Sequence, residues 1–332
     1  MMPRAVALLS GGLDSTLATK VVLQQGIEVF GFHGVMPWGC CDKRYAVASA
    51  AFLEIPLMTC KLGDDYIQIV RKPRFGYGSG MNPCVDCRIY LWDLAKKYME
   101  KIQAGFLITG EVLGQRPMSQ IKRSLKIIEE ESGLVGKILR PLSAKLLPPT
   151  LPEIEGAVDR NQLLGLEGRT RKEQIRLARE FGLKNYPTPA GGCLLTDKSF
   201  AEKVKDHFAH TQENSTEDFE LLTLGRHFRV DDKTKVILGR NEQENYTLQW
   251  YAQPQNRHLL VPKNFVGPFV LIDGEMTELS KQKAADLAIR YTRPDRRPHQ
   301  RAVFEYRNQA IEVLISDVQE ELSVGNLEQV GV

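Results

Sequence analysis

Long apolar runs are missing from this 332-residue sequence, in which no stretch approaches the about 18 consecutive apolar residues that a membrane-spanning helix requires. The residues before a glycine-rich motif at position 10 are too few for a signal peptide. An excess of one charge is also missing, since 44 Lys and Arg residues nearly balance 41 Asp and Glu residues. We therefore expect a cytoplasmic globular protein of two domains with no membrane partner. Its net charge of +3 neither requires nor excludes a nucleic acid partner.

Histidine and cysteine are scarce, with six residues of each, and a single Cys-x-x-Cys pair occurs. Structural zinc sites usually draw their ligands from two such pairs, or from one pair and closely spaced histidines. The shortage of ligands therefore disfavours structural zinc. In a reducing compartment, the cysteines are expected to be metal ligands, catalytic thiols or buried residues rather than disulfide partners.

The first part of the chain alternates short apolar runs with segments of helical spacing. This alternation is typical of a parallel sheet with helices on both faces. We predict strands at residues 5–9, 27–32, 57–62 and 106–110, and helices at residues 16–25, 44–53 and 89–102. The predicted fold class of residues 1–208 is therefore α/β, with a parallel sheet sandwiched by helices.

The pattern changes after a polar segment near residues 209–218. Helical spacing is then rarer, and apolar runs separated by polar residues become the main feature. These patterns predict a helix at residues 281–289 and strands at residues 235–238, 246–251 and 268–272. Residues 215–332 are therefore predicted to form a second domain, of the α+β class.

A Ser-Gly-Gly-Leu-Asp-Ser string at residues 10–15 lies between the first predicted strand and the first predicted helix. Its two glycines allow a sharp turn, so that backbone N–H groups and the start of the helix can approach a phosphate. The hydroxyls of Ser10 and Ser15 can donate to phosphate oxygens, and Asp14 can cap the helix or help to hold Mg²⁺. Because the Gly-Lys-Ser/Thr ending of Walker A is absent, an NTPase acting on the γ-phosphate is disfavoured.

Three cysteines lie in sequence contexts that suit metal binding or catalysis. Cys84 and Cys87 form the Cys-x-x-Cys pair at the start of a predicted helix, where the helix-end field favours thiolate. Cys193 follows two glycines, which let the backbone pack closely around a cofactor or nucleotide. Three interpretations stay open: a [4Fe–4S] cluster on all three thiolates, a persulfide-carrying pair of Cys87 and Cys193, or zinc on Cys84 and Cys87. The adjacent Cys40 and Cys41 are a weaker candidate for a substrate loop.

The order of these motifs resembles that of PP-loop ATP pyrophosphatases, and among them the tRNA sulfurtransferases of the 2-thiouridylase and 4-thiouridine synthase type. The shared order over residues 4–200 is Ser-Gly-Gly-x-Asp-Ser, Asn-Pro-Cys-x-x-Cys, Thr-Gly-Glu, a Lys/Arg-rich helix and Gly-Gly-Cys. The resemblance implies the adenine nucleotide α-hydrolase-like fold. It also implies that ATP, with Mg²⁺, adenylates a uridine carbonyl oxygen in tRNA and that sulfur then displaces AMP.

The same resemblance implies roles for individual residues. His33 lies where such folds bind adenine, and further nucleotide contacts are implied for Ser10, Gly11, Gly12, Asp14, Ser15, Thr109 and Gly110. Catalytic roles are implied for Asp14, Cys87 and Cys193.

In cluster-dependent relatives, a set that matches Cys84, Cys87 and Cys193 binds the [4Fe–4S] cluster, whose open iron can hold sulfide. In cluster-free relatives, the position of Cys193 carries a persulfide and that of Cys87 is the nucleophile. The presence of Cys84 favours the cluster. No rhodanese-like cysteine loop is found, so sulfide or a cysteine desulfurase is expected to supply the sulfur.

Arginines cluster near the end of the second domain, with aromatic residues between them. This composition suits contacts with an RNA backbone and stacking on bases. In addition, residues 235–241, which include Gly-Arg-Asn, resemble a strand of the NFACT-R type of RNA-binding domain. The expected RNA contacts are Arg116, in the loop after Thr-Gly-Glu, and Arg240, Arg293, Arg296, Arg297 and Arg301.

Together these features predict an ATP-dependent tRNA sulfurtransferase with a [4Fe–4S] cluster. They favour 4-thiouridine over 2-thiouridine as the product, because an RNA-binding appendage suits recognition of the tRNA body. Two alternatives stay open: a small-molecule sulfur-insertion or amidation enzyme of the same superfamily, and a non-catalytic RNA-binding module. The oligomeric state stays open, with a homodimer as the candidate.

Overall fold

The computed structural model describes residues 3–39, 43–187, 192–213, 215–252, 256–315 and 329–331. The candidate substrate loop at Cys40 and Cys41 therefore lies outside the described residues. The chain divides into two compact units, Met1–Thr196 and Asp197–Val332. None of the described helices is long and apolar enough to cross a membrane.

The division between the units lies earlier than residue 208, where the sequence analysis places it. The helix Lys198–His210 falls in the second unit because its contacts are made there. Its Phe200 side chain is buried, and Lys203 donates hydrogen bonds to the backbone oxygens of Leu222 and Gly225. Such contacts between distant segments are not visible in the local sequence pattern.

The first unit alternates strands and helices as predicted. Its strands are β1 (Arg4–Leu8), β2 (Glu28–Val35), β3 (Leu57–Lys61), β4 (Phe106–Ile108) and β5 (Ile138–Leu139). Its helices are α1 (Leu13–Leu23), α2 (Lys43–Leu53), α3 (Asp64–Arg71), α4 (Cys84–Lys101), α5 (Lys122–Glu131), α6 (Leu151–Ile154) and α7 (Lys172–Glu180).

The described strands of the first unit form a parallel sheet in the order β3-β2-β1-β4-β5. The chain builds from β1 to β3 on one side and then returns to add β4 and β5 on the other side. In open α/β sheets, such a reversal leaves a crevice at the carboxyl ends of the two central strands, where ligands bind. The segments that follow β1 and β4 therefore meet at a position suited to a ligand.

The central strand β1 is buried on both faces of the sheet. Ala5 and Ala7 belong to a hydrophobic cluster that includes α1 and α7, whereas Val6 belongs to a cluster that includes Trp92 of α4. Two layers of helices therefore enclose the sheet. This arrangement confirms the predicted α/β class.

The second unit has a different architecture. Its helices are α8 (Lys198–His210), α9 (Thr216–Leu222), α10 (Glu242–Tyr251) and α11 (Glu278–Arg290). Its strands are β6 (Arg226–Arg229), β7 (Lys235–Leu238), β8 (Arg257–Pro262), β9 (Val270–Asp273), β10 (Arg301–Tyr306), β11 (Gln309–Leu314) and β12 (Gln329–Val330). Within the described ranges these strands form one antiparallel sheet, β11-β10-β8-β9-β7-β6-β12, which confirms the α+β class.

The prediction of a strand at residues 246–251 is wrong, because these residues lie in helix α10. Asn241 caps the start of the helix by accepting a hydrogen bond from the backbone N–H of Glu244. Leu248 and Tyr251, one helical turn apart, are buried, whereas Trp250 is 61% exposed. The aromatic residues at 246–251 favour a strand, but the Asn241 cap and the burial of one helix face stabilise a helix instead.

Candidate active site

The Ser-Gly-Gly-Leu-Asp-Ser loop follows β1 and lines a cavity of about 430 Å³. Ser10, Gly12, Asp14 and Ser15 all contribute to the cavity wall. Gly12 is the N-cap of α1, and the Ser15 hydroxyl donates to the Gly12 carbonyl oxygen over 3.0 Å. The loop therefore presents a helix N-terminus and two hydroxyl groups to the cavity, which suits phosphate binding.

Gly11 shapes the loop. Its φ of +77° lies in the left-handed region, and a Cβ at this position would come within 2.3 Å of the backbone carbonyl carbon of Tyr45. Helix α2 thus packs so closely on the loop that a side chain at position 11 has no room. The role that this geometry gives to Gly11 is to hold the conformation of the loop.

The end of β4 lies directly against the first turn of α1. A Cβ on Gly110 would lie 2.4 Å from the backbone nitrogen of Ser15 and 2.5 Å from the carbonyl carbon of Asp14. Thr109 is buried, and its Oγ1 lies 3.2 Å from Oε2 of Glu111, to which it donates. Thr109 and Gly110 both line the cavity, where the resemblance implies contacts with a nucleotide.

His33 lies in β2 and forms part of the same cavity wall. Its ring is 2% exposed, and Nδ1 lies 2.9 Å from the backbone oxygen of Leu9. Since a carbonyl oxygen only accepts, Nδ1 carries the proton in this contact. The bond fixes the ring orientation between β2 and the segment after β1.

Asp14 lies in the first turn of α1 and is surrounded by donors. Gln115 donates from Nε2 to Oδ2 over 3.0 Å, and Nη2 of Arg171 lies 3.6 Å from the same oxygen. Among the described residues, the buried Oδ1 has no hydrogen-bond partner. Burial raises the pKa of Asp14, and the Gln115 bond and the Arg171 charge only partly offset this effect. An oxygen of this kind, buried and lacking a partner, fits a ligand to Mg²⁺.

The cavity is also lined by the three predicted cysteines, Cys84, Cys87 and Cys193. Asn82 donates from Nδ2 to the Cys84 sulfur over 3.1 Å. The backbone N–H of Met81 donates to the carbonyl oxygen of Leu195 over 2.9 Å. This bond joins the segment before α4 to the segment that carries Cys193, so the fold brings the distant cysteine to the Cys-x-x-Cys pair.

The protonation of Cys87 differs from the expectation. Burial raises the pKa of its thiol to about 12, and the hydrogen bond from Tyr66 and the charge of Arg88 offset the effect only in part. Desolvation thus outweighs the field at the start of α4, which the sequence analysis expects to favour thiolate. As a lone thiol, Cys87 is therefore protonated at neutral pH.

Metal binding at this cavity depends on how the three thiols are arranged. Across the described parts of the chain, no three His, Cys, Asp or Glu side chains are arranged around one metal ion. The thiolates of an iron–sulfur cluster bind different irons, so they surround a common space rather than a single point. Three thiols on one cavity fit that donor set.

Two of the arginines expected to contact RNA are engaged in ion pairs. Arg240 pairs with Glu244 one turn along α10, with Nη2 and Oε1 separated by 2.5 Å. Arg301 pairs with Glu312 across β10 and β11, with Nη1 and Oε2 separated by 2.8 Å. The two side chains are 47% and 61% exposed, but each already has an anionic partner.

The remaining arginines of the second unit differ among themselves. Arg297 donates to the backbone oxygens of Thr292 and Arg290, both over 3.1 Å, and so caps the C-terminal end of α11. Arg293 and Arg296 are exposed and form no ion pair with any described residue. These two are therefore the best placed of the group to contact a phosphate.

Arg88 and Arg171 were not predicted as site residues, and Gln115 was expected only as part of the loop around Arg116 that contacts phosphate or RNA. Arg88 and Arg171 line the cavity together with Arg116, which was expected to contact RNA. The position of Arg88 directly after Cys87 was an available signal. No local signal links Gln115 or Arg171 to Asp14, because the fold alone brings these segments together.

Two family models match the chain. Residues 2–145 match the model described as thiamine biosynthesis protein (ThiI), and residues 225–321 match the NFACT protein RNA binding domain. The chain is 26% identical over 242 residues to the tRNA-specific 2-thiouridylase MnmA of Rippkaea orientalis, covering 68% of this chain and 65% of the relative. It is 30% identical over 150 residues to the probable tRNA sulfurtransferase of Ureaplasma urealyticum, covering 42% and 36%.

A solved 4-thiouridine synthetase–RNA complex with bound ATP has a TM-score of 0.40 and 21% identity, over 67% of this chain and 52% of that one. The chain spans about two thirds of the length of the MnmA relatives, with 65% and 63% covered in those of Rippkaea orientalis and Amoebophilus asiaticus. The family models and curated relatives confirm the resemblance to PP-loop tRNA sulfurtransferases, and the second model confirms the resemblance of part of the second unit to the NFACT type of RNA-binding domain.

Proposed function

We propose that this chain is an ATP-dependent tRNA sulfurtransferase. The proposal rests on one observation: the phosphate loop and the three cysteine thiols line the same cavity. One set of groups suits ATP and the other suits sulfur, so activation and sulfur transfer can take place on one bound base. The match to an RNA-binding domain and the tRNA-thiolating relatives support tRNA as the substrate.

In the first step, a uridine carbonyl oxygen attacks the α-phosphorus of ATP. A new oxygen–phosphorus bond forms, and the bond to the β-phosphate breaks to release pyrophosphate. The N–H groups at the start of α1 and the hydroxyls of Ser10 and Ser15 bind phosphate oxygens. Asp14 would hold Mg²⁺, which neutralises phosphate charge when it is bound.

In the second step, hydrosulfide attacks the adenylated carbon. A carbon–sulfur bond forms, the carbon–oxygen bond breaks, and AMP leaves with the former carbonyl oxygen. Cys84, Cys87 and Cys193 would hold a [4Fe–4S] cluster, which supplies an open iron for sulfide. External sulfide or a cysteine desulfurase is the proposed source of the sulfur.

The persulfide mechanism is the alternative for the same residues. Cys193 would carry the extra sulfur, whose attack on the adenylated carbon expels AMP. Cys87 would then attack the Cys193 sulfur, releasing the thiolated base and leaving a Cys87–Cys193 disulfide for a thiol to reduce. This path requires deprotonation of the partly buried Cys87 thiol, which its raised pKa opposes.

For the product we keep 4-thiouridine as the first candidate, because a separate RNA-binding unit suits recognition of the tRNA body. The relatives named as 2-thiouridylases support 2-thiouridine as the product instead. A second candidate function, sulfur insertion into a small molecule, is favoured by the description of the matching model as a thiamine biosynthesis protein. A tRNA substrate fits the NFACT-type domain better.

The test starts with anaerobic purification and analysis of iron and sulfide. The protein is then incubated with unmodified tRNA, ATP, Mg²⁺ and sulfide, and the tRNA nucleosides are analysed by mass spectrometry. We expect about four irons per chain, and thiouridine formed in equal amount with AMP. The mass spectrum and chromatographic retention identify the base.

Cys84→Ser should lose iron and thiolation together, whereas the matched Cys60→Ser should keep both, since Cys60 lies on β3 outside the cavity wall. Thiolation without iron would support the persulfide mechanism. AMP formation that does not depend on tRNA would favour the small-molecule candidate. A protein that binds ATP but thiolates no tRNA would refute the proposed function.

A further inference from the structure

Three arginines from separate segments converge on the wall of the cavity. Arg88 lies in the first turns of α4, Arg116 lies in the loop that follows β4, and Arg171 immediately precedes α7. All three line the cavity that the phosphate loop faces. The roles proposed for the phosphate loop and for the cysteines do not use these three arginines.

Two of these arginines are held by neighbouring side chains. The Arg88 guanidinium lies 5.3 Å from the centre of the Trp92 ring, and its Nε is 3.7 Å from Oε1 of Glu111. Nη2 of Arg171 is 3.6 Å from Oδ2 of Asp14. The third, Arg116, is exposed towards solvent and forms no ion pair with any described residue.

The positive charges at this wall are not fully balanced by the protein. Partial desolvation at the cavity wall, together with the nearby charges of Arg88 and Arg171, lowers the pKa of Arg116, although the residue as a whole is exposed. Arginine nevertheless stays charged at neutral pH, so the three groups repel one another. Of the neighbouring carboxylates, Glu111 also binds the buried Arg140, with Nε and Oε2 separated by 3.0 Å. A bound anion would relieve this repulsion.

We infer that Arg88, Arg116 and Arg171 form a subsite for the β- and γ-phosphates of ATP. The inference rests on the proposed use of ATP. Guanidinium groups bind phosphate through two parallel hydrogen bonds, and pyrophosphate gains negative charge as it leaves the α-phosphorus. The contact between Arg171 and Asp14 places the subsite beside the phosphate loop. Arginines at that position would stabilise the leaving group more than the bound substrate.

The test compares Arg116→Gln with Arg123→Gln in the full-length chain. Arg116 is the better probe because its exposed side chain supports no ion pair on which folding depends. Arg123 is an exposed arginine of α5 that does not line the cavity, so its substitution is matched in charge and side chain. Calorimetry would measure the affinity for inorganic pyrophosphate and, separately, for AMP.

We expect Arg116→Gln to weaken pyrophosphate binding roughly tenfold or more, since hydrogen bonds to charged groups are lost. AMP binding should stay within about twofold of wild type, because AMP lacks the phosphates at this subsite. Arg116→Lys should recover part of the affinity through its charge. Arg123→Gln should match wild type for both ligands.

Equal pyrophosphate affinity in Arg116→Gln and Arg123→Gln would overturn the inference, as would an equal loss of AMP affinity. A loss confined to tRNA affinity would also overturn it, because the arginines would then bind an RNA phosphate. None of these measurements involves sulfur transfer. A chain that thiolates no tRNA, but whose pyrophosphate affinity depends on Arg116, would therefore refute the proposed function and leave this inference standing.

Discussion

Gln115 donates a hydrogen bond from Nε2 to Oδ2 of Asp14 over 3.0 Å, and so connects the loop after β4 to the first turn of α1. The bond orients the carboxylate so that one oxygen is held and the other, among the described residues, is left buried and without a hydrogen-bond partner. Arg171 approaches the held oxygen at 3.6 Å. The position of the carboxylate is thus set by two segments that sequence analysis did not associate with it.

Asp14→Asn should separate activity from stability. Loss of the charged ligand should reduce AMP formation roughly a hundredfold or more, since charge stabilisation at the phosphates is lost. Stability at neutral pH should be unchanged or higher, because burial raises the folded-state pKa and makes the ionised carboxylate unfavourable. Any gain in stability should vanish as the pH falls below the ordinary pKa of Asp, because the Asp14 carboxyl is then protonated in both the folded and the unfolded state. Product analysis and thermal unfolding over pH check both parts.

The matched control for this experiment is Asp232→Asn, a substitution of an exposed aspartate in the second unit. It should leave AMP formation and its pH dependence as in wild type. If Asp14→Asn retains full activity, Asp14 has no role as a ligand. A clear loss of stability at neutral pH would mean that the contacts with Gln115 and Arg171 outweigh the cost of burial.

Gly110→Ala should disrupt the phosphate loop. Its Cβ would lie 2.4 Å from the backbone nitrogen of Ser15, and backbone cannot move aside as a flexible side chain can. We expect a destabilisation of about 1–3 kcal/mol and a larger loss of ATP affinity, because the displaced segment forms the phosphate site. Denaturant unfolding and nucleotide binding measure the two effects.

Gly105→Ala supplies the comparison for that substitution, since it precedes the same strand and its Cβ would lie 3.9 Å from the nearest atom, the backbone oxygen of Arg4. It should bind ATP as wild type does. Normal ATP affinity in Gly110→Ala would show that β4 and α1 can separate without cost to the site.

The motifs predicted the position of the cavity because they lie at strand ends. Residues 10–15 follow β1, and residues 109–110 follow β4, so a parallel sheet with these strands adjacent must bring the two segments together. The adjacency of β1 and β4 itself was not predicted from periodicity, and the observed strand order shows it. The same reasoning could not find Arg171, since the segment before α7 carries no motif that refers to Asp14.

Other differences between the sequence-based predictions and the structure arise because the fold determines which side chains are buried. The helix-end position of Cys87 suggests a thiolate, yet desolvation raises its pKa to about 12. The arginine-rich composition near the end of the second unit could not distinguish Arg297, which caps the C-terminal end of α11, from the exposed Arg296. Residue type indicates which groups are able to react, and packing determines which of them are ionised or accessible.

Lys203 should make the stability of the second unit depend on pH. Burial lowers the pKa of its ammonium group from 10.5 to about 8 in the folded state. The unfolded chain therefore binds more protons between these values, and stability rises with pH across that window. Relative to Lys203→Met, wild type should gain up to about 3 kcal/mol between neutral pH and the upper end of the window. Denaturant unfolding at several pH values measures the difference.

The pKa of Lys203 is read from the pH dependence of stability and not from stability at one pH. The reason is that Lys203→Met also removes hydrogen bonds to the carbonyl oxygens of Leu222 and Gly225. Lys205→Met is the control, since Lys205 lies on the same helix and its side chain is 53% exposed. The difference between wild type and Lys205→Met should be constant over pH. Parallel curves for wild type and Lys203→Met would show that the buried lysine titrates normally.

Arg293 and Arg296 should form part of the surface that binds tRNA. Both are exposed and unpaired among the described residues, so their charges are available to phosphates. Replacing both with Glu should weaken tRNA binding and reduce the slope of log affinity against log salt by about 1–2, according to how many phosphate contacts are lost. Filter binding or fluorescence anisotropy over a range of salt concentrations provides the slope.

A matched double reversal of Lys122 and Arg123 changes the net charge equally, using exposed residues of α5 in the other unit. If the effect reflected total charge, both double variants would weaken binding alike. A reduced slope confined to the Arg293 and Arg296 variant would locate the RNA surface on the second unit, because counterion release depends on the phosphates actually contacted. An unchanged slope would place that surface elsewhere, with neither arginine taking part.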